Sequence, residues 1–275
     1  MANANLQEIE AELVYAVDTG EKPVNETMGH GDMSRKRTGI REKHKMTVRD
    51  GRPLIGSFDL EEHGFEFVDH PTKTVDFFNP EQLADIYYPE VEKLIKERTG
   101  ASRVLIFDHT LRSGDQATRD EKLVREPVLA VHNDYTEWSG PQRVRDLLPD
   151  EADELLKHRF AIVQVWRPIN KPIVSNPLAI CEARTLATGD LIASERRYPD
   201  RVGETYQIAY NPDHEWFYFP RMNRDEALVF KVFESRTDGR ARFTAHTSFE
   251  DPNTPANAEP RESIEMRTIA FFDEE

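Results

Sequence analysis

Apolar and polar residues change places at short intervals along most of this chain, and two stretches repeat at helical spacing. Leu83, Ile86, Tyr87, Val91, Leu94 and Ile95 fall near one face of a helix running from Glu81 to Arg98. Asn79 is its N-cap, Pro80 occupies the first turn with Gln82 just inside it, Pro89 bends or interrupts it, and Gly100 stops it. Short apolar or alternating runs bounded by Pro, Gly and Asn predict strands at 64–68, 104–108, 127–131, 160–166, 178–184, 205–210, 215–219, 227–233, 242–247 and 263–272. A second helical stretch, 141–157, is inserted among them and carries Val144, Leu147, Leu148, Leu155 and Leu156. So many short strands predict a mainly β fold with flanking helices, either a barrel or a sandwich.

Residues 1–50 have few apolar anchors. They read as a partly flexible N-terminal arm with one strand near Ala11–Tyr15, ahead of a single domain over 51–275. Fifty-one acidic against thirty-six basic side chains leave a formal charge of −15, which disfavours nucleic acid and anionic membrane as partners. No apolar run is long enough to span a bilayer, and the first residues lack the basic and apolar regions of a signal peptide. Cys181, the single cysteine, rules out an internal disulfide framework and any cysteine-based metal cage. The expectation is a cytoplasmic protein acting on a small molecule, as a monomer or a homodimer.

The candidate chemistry begins at Arg125–Tyr135, an apolar run ending in His132 and Asp134. In an extended chain, residues two apart point the same way, so an imidazole and a carboxylate share one face. A second histidine would complete a 2-His-1-carboxylate triad, which holds iron(II) and leaves positions open for oxygen and a co-substrate. Of nine histidines, His246 and His214 are the candidates; His30, with Asp32, repeats the spacing but sits between glycines and reads as a loop. His246 is preferred because a turn and an arginine-bearing strand follow it. In that strand Arg261, Ser263, Glu265 and Arg267 share one face by alternation. A guanidinium placed there could pair bidentately with the far end of a dicarboxylate whose near end chelates the metal.

His132-x-Asp134, His246 and Arg261-x-Ser263 together resemble the metal and co-substrate motif of the iron(II)/2-oxoglutarate-dependent oxygenases. More narrowly, Phe107–Arg112, Val165–Ile169, Trp216–Pro220 and His246–Phe249 resemble the CmcJ-like subgroup of cephamycin-methoxylase-related and fungal natural-product tailoring oxygenases. The likeness runs from about Leu54 to the C-terminus. It implies a double-stranded β-helix, the cupin-like jelly roll. It also implies Fe(II) on His132, Asp134 and His246, with 2-oxoglutarate and O2 consumed in hydroxylation, desaturation, or ring or peroxide formation. Arg261 and Arg267 are rival anchors for the co-substrate, with Ser263 beside them. Arg167, inside a strand, needs either a co-substrate or an acidic neighbour. Tyr135, Trp138 and Arg112 are candidates for the substrate mouth. The alternatives are a cupin-like metalloenzyme that does not use 2-oxoglutarate, and a non-catalytic accessory subunit on the same fold.

Overall fold

The computed structural model describes residues 6–27, 35–122, 124–199 and 201–273; His30 and Asp32 lie outside them. In chain order the strands are β1 (Glu8–Val17), β2 (Val24–Thr27), β3 (Arg35–Arg37), β4 (Ile40–Asp50), β5 (Phe65–Asp69), β6 (Arg103–Ser113), β7 (His132–Asn133), β8 (Phe160–Pro168), β9 (Leu178–Cys181), β10 (Leu191–Arg197), β11 (Val202–Ile208), β12 (Trp216–Tyr218), β13 (Glu226–Glu234), β14 (His246–Ser248) and β15 (Glu262–Phe271). They form a ten-stranded sheet, β1-β4-β12-β9-β14-β7-β11-β10-β2-β3, and a five-stranded sheet, β5-β13-β8-β15-β6. Among the described residues, only the β10–β2 and β12–β4 strand pairs are parallel.

Both faces of the smaller sheet are covered, so its middle strands read as near-continuous apolar runs. On β8, Phe160, Ile162 and Trp166 face the larger sheet and meet Ile180, Phe217 and Phe219. Ala161, Val163 and Val165 face the other way, against Val91, Leu94 and Ile95. Those three belong to a helix built in pieces, α1 (Pro80–Gln82), a π-turn (Leu83–Tyr87) and α2 (Tyr88–Thr99). The π-turn lies just before Pro89, which has no N–H for the regular ladder and whose ring would collide with the preceding turn. Asn79 Oδ1 accepts from the N–H groups of Glu81 (2.9 Å) and Gln82 (3.2 Å), and Gly100, at φ +75°, ends the helix in the left-handed region.

The N-terminal stretch is not an arm. β1 and β4 pair from Glu8↔Arg49 to Val17↔Ile40, and the edge strand β1 then returns to the middle of its own sheet. Bridges join Val14 to Ala130 and Ala16 to Ala209, and the Val131 N–H donates to Val14 O at 2.9 Å. Ile9, Ala11, Leu13 and Tyr15 thereby enclose a third core with Val48, Cys181 and Trp216. The alternating positions are glutamates matched across the β1–β4 pair, Glu10 to Thr47 at 2.6 Å, Glu12 to Lys43 at 3.0 Å and Glu8 to Arg49 at 3.2 Å. Charge on one face masks a period-two strand.

Three further expectations are corrected. Residues 127–131 contribute only the Ala130 bridge, and the paired strand is His132–Asn133. The 242–247 strand shortens to His246–Ser248. The 141–157 helix splits into α4 (Ser139–Leu147) and α5 (Ala152–Leu155), because Pro149 pushes Leu148 out of the helical region, to φ −133° and ψ 56°. One more short helix, α3 (Gln116–Lys122), follows β6. No helix among the described residues is long and apolar enough to cross a membrane.

Leu13, 1% exposed, tests whether β1 is integral to the fold. Leu13→Ala is expected to lower unfolding stability by about 3 kcal/mol, a core-cavity cost rather than the near-zero effect of an arm residue. Urea denaturation of both proteins measures the difference.

Candidate metal centre

Strand pairing brings the two preferred histidines together. β14 lies beside β7 with His246 directly opposite His132. Their ring centroids are 4.4 Å apart and inclined at 52°. Each imidazole is oriented the same way: His132 Nδ1 donates to Ala130 O at 2.8 Å and His246 Nδ1 to Thr244 O at 3.1 Å. A carbonyl can only accept, so these bonds place the proton on Nδ1 and leave Nε2 with its lone pair. Asp134, two residues on and just past the end of β7, puts Oδ1 3.5 Å from His132 Nε2. One ligand atom from each of His132, Asp134 and His246 lies within 4.8 Å of the other two.

β7 is held by the residue between its two functional side chains. Asn133, fully buried, donates through Nδ2 to Tyr135 O (2.7 Å) and Val232 O (2.9 Å), and its Oδ1 accepts from the Thr244 N–H at 3.2 Å. The last bond ties the segment entering β14 to β7. Behind Thr244 sits Gly64, at φ +82°, where a Cβ would come within 2.3 Å of Thr244 Oγ1. A side chain there would displace the carbonyl that orients His246.

The protonation states suit a cation. Burial, then the neighbouring His246, pushes His132 down to about 3 in spite of Asp134. Burial alone would raise Asp134, but the Arg267 guanidinium and then the two histidines hold it well below the usual carboxylate range. Its Oδ2 accepts from Gln164 Nε2 at 2.7 Å and Arg267 Nε at 3.2 Å, leaving Oδ1 toward the imidazoles. His246 Nε2 is buried and has no hydrogen-bond partner. A buried acceptor facing a second imidazole and a carboxylate is costly unless a cation meets all three. The donor set therefore fits a divalent ion such as iron(II).

The arginines separate into three roles. Arg267 is spent within the protein: besides Asp134 it meets Glu265, Asp108 at 3.2 Å and Thr110 at 2.8 Å. Arg261, 3% exposed, donates only to Asn176 O (2.6 Å) and Ser248 Oγ (3.1 Å), with its Nε unpartnered. Burial, then the adjacent Arg112, pushes its guanidinium down to about 9. Ser263 Oγ is also buried and unpartnered. Arg167 does not face the centre. It alternates with Val163 and Val165 toward the helix, where Nη2 donates to His70 O at 2.6 Å and the guanidinium lies 5.4 Å from the Tyr87 ring centroid.

His214 belongs to the third core, 3.0 Å from Asp190 Oδ2 and 3.3 Å from the Tyr15 hydroxyl. His109 bonds to the Tyr88 hydroxyl at 2.8 Å on the helix side, so it does not support the ligands. Two cavities open on the centre. One of about 370 Å3 reaches His132 and has Arg112 in its wall. One of about 140 Å3 reaches Asp134 and is lined by Tyr135 and Trp138. Gln164, Asn133, Arg125 and Arg196 were not anticipated. For Gln164 a signal existed, a lone amide inside the apolar run Phe160–Trp166.

A family model described as an oxidoreductase/YMDC permease-like domain matches residues 13–271. The chain is 33% identical over 254 residues to the hydroxylase/desaturase efuI of Hormonema carpetanum, covering 84% of each. It is 32% identical over 235 residues to the Fe(II)/2-oxoglutarate-dependent dioxygenase nvfI of Aspergillus novofumigatus, covering 83% of each. The solved structure of the iron and alpha-ketoglutarate-dependent endoperoxidase NvfI superposes with a TM-score of 0.85 at 28% identity, covering 96% of this chain and 98% of that one.

The lowered His132 gives a pH test on protein stripped of metal by a chelator. Between about pH 6.5 and 3 the unfolded chain binds a proton there that the folded chain does not, so stability is full above 6.5 and falls as the pH drops. Between pH 7 and 5 the loss through His132 is about 2 kcal/mol. His132→Asn should remove that part of the acid sensitivity, read as a smaller difference between urea midpoints at the two pH values.

Proposed function

The chain belongs to the Fe(II)/2-oxoglutarate-dependent dioxygenases, and from that membership we infer that it oxidises a small natural-product molecule at the His132–Asp134–His246 centre. The fold is the double-stranded β-helix with added N-terminal strands. The observation that carries the site assignment is the buried, unpartnered Nε2 of His246 facing His132 and Asp134. Iron(II) held there, with 2-oxoglutarate and O2, supplies the oxidative decarboxylation and hydrogen abstraction common to this family.

The protein's part is positioning. The Nδ1 bonds of both histidines and the double hold on Asp134 Oδ2 set three ligand atoms in advance, so little ordering remains when the ion arrives. Phe230, with its ring centroid 4.9 Å from that of His246, keeps the back of the centre apolar. Of the two rival anchors, Arg261 is the better co-substrate arginine. Its charge is buried and met by no carboxylate in its hydrogen bonds, whereas Arg267 already meets three. A dicarboxylate's far end would satisfy Arg261 Nε and Ser263 Oγ together. Tyr135 and Trp138, at the smaller opening beyond Asp134, then belong to the substrate side. Relatives named as hydroxylase/desaturase and as endoperoxidase fit an outcome set by which substrate C–H bond the walls present.

Anaerobic Fe(II)-loaded protein is expected to develop a visible charge-transfer band with 2-oxoglutarate, and to release succinate when O2 and substrate are added. His246→Ala or Asp134→Ala should lose stoichiometric iron by elemental analysis; full iron binding in either variant sinks the assignment. Arg261→Gln should raise the 2-oxoglutarate concentration for half-maximal band intensity by about tenfold or more, the worth of a charged hydrogen bond. Arg167→Gln should leave that concentration unchanged, and equal shifts in the two variants would overturn the assignment of Arg261 as the co-substrate arginine.

A further inference from the structure

The larger cavity is more basic than one dicarboxylate needs. Five arginines against two glutamates line it, a local positive excess in a chain of formal charge −15. Arg41 comes from the start of β4, Arg125 from the segment before β7, and Arg196 from β10, so three separate elements converge on one mouth. No ion pair among the described residues engages Arg41, Arg112, Arg125 or Arg196, and Arg196 Nε is buried without a partner. Two titrations reflect that field. Arg41 is lowered by burial and then by Arg37 and Arg196. Burial would raise the Tyr198 phenol, yet Arg196, with Arg201 and Arg125, pulls it below its ordinary value. Guanidinium groups held together in excess of their counter-charge favour an anion between them.

Arg125, Arg196 and Tyr198 also line the smaller cavity with Asp134, so they stand where the two cavities adjoin. Large apolar side chains are exposed on the same walls: Leu129 (43%) in the larger cavity, Trp138 (49%) and Val202 (51%) in the smaller. Arg261 is absent from both walls and lies deeper, leaving the co-substrate its own guanidinium.

We propose that the substrate is an amphipathic organic acid, its carboxylate held by Arg41, Arg125 and Arg196 and its apolar skeleton laid against Leu129, Trp138 and Val202. That the skeleton presents a C–H bond to the centre rests on the dioxygenase reading; the recognition of the acid does not. The carboxylate accepts charge-assisted hydrogen bonds while the skeleton covers apolar surface otherwise left to water.

The test compares 2-naphthoic acid with its uncharged methyl ester, titrated calorimetrically into anaerobic Fe(II)-loaded protein saturated with 2-oxoglutarate. The acid is expected to bind about tenfold or more tightly than the ester. That preference should weaken at high salt and vanish in the Arg125→Gln/Arg196→Gln variant, with unchanged melting temperature and an unchanged 2-oxoglutarate requirement for the charge-transfer band. Arg41→Gln, at the rim, should reduce it partially and guards against a misfolded double variant. Equal binding of acid and ester to the unmodified protein overturns the proposal. So does a preference that survives in the variants, or one seen only without 2-oxoglutarate, which would assign these arginines to the co-substrate. If 2-oxoglutarate gives no charge-transfer band, the dioxygenase reading fails while the acid–ester comparison on the same protein still decides this one.

Discussion

The site depends on the pairing of His246 with His132 across β14 and β7. β7 is only two residues long, too short for its ladder alone to locate it. Its place comes from β11 on one side, where Gln207 pairs with His132, and from the fully buried amide of Asn133, which binds three backbone groups from separate segments. A buried amide with these bonds made is stabilising, and each left unmade would cost about 1–3 kcal/mol. The strand is therefore held in one register, and one register sends His132 and Asp134 to the same side. The geometry of the centre follows from hydrogen bonding beneath it more than from the ligands themselves.

Electrostatics then divides labour among residues that look alike. Arg267 on β15 and Arg261 just before it turn to the same side and both are largely hidden from solvent, yet they have opposite surroundings. Arg267 meets the half-exposed Asp108 and the largely buried Asp134 and Glu265, so removing it would leave the latter two uncompensated. Arg261 meets a carbonyl and a hydroxyl, so its own charge is what lacks compensation. The first arrangement holds a metal ligand at low pKa. The second is suited to receive an anion from outside.

These contacts explain what could be read from the sequence. The His-x-Asp pair was legible because alternation in an extended segment needs no tertiary information, and the shared face of Arg261, Ser263 and Arg267 was legible for the same reason. Which arginine stays free depends on carboxylates brought by β6 and by the residue after β7, and spacing does not reveal that. Arg167 was misread because β8 is apolar on both faces, so alternation gives two sides but not which one faces the centre. β1 was undervalued because Glu8, Glu10 and Glu12 dilute its hydrophobicity, although Ile9, Ala11, Leu13 and Tyr15 alternate with them. β10 opens with a short apolar run, Leu191–Ala193, but ends in the polar run Ser194–Arg197 and was missed, with Arg196 on it.

The N-terminal strands and the mouth are thus linked. The β1–β4 pair that closes the large sheet on itself also delivers Arg41 to the cavity beside His132, so one pairing both closes the sheet and shapes the entrance. The surrounding surface is acidic overall, and at physiological salt its field decays over about 8 Å. An anion approaching from farther away is not drawn in by the arginines, whose positive field is confined to the cavity. Recognition of charge therefore acts at contact, in how long a ligand stays, more than in how fast it arrives. A mouth of this kind selects among molecules already similar in shape by whether they carry an acid.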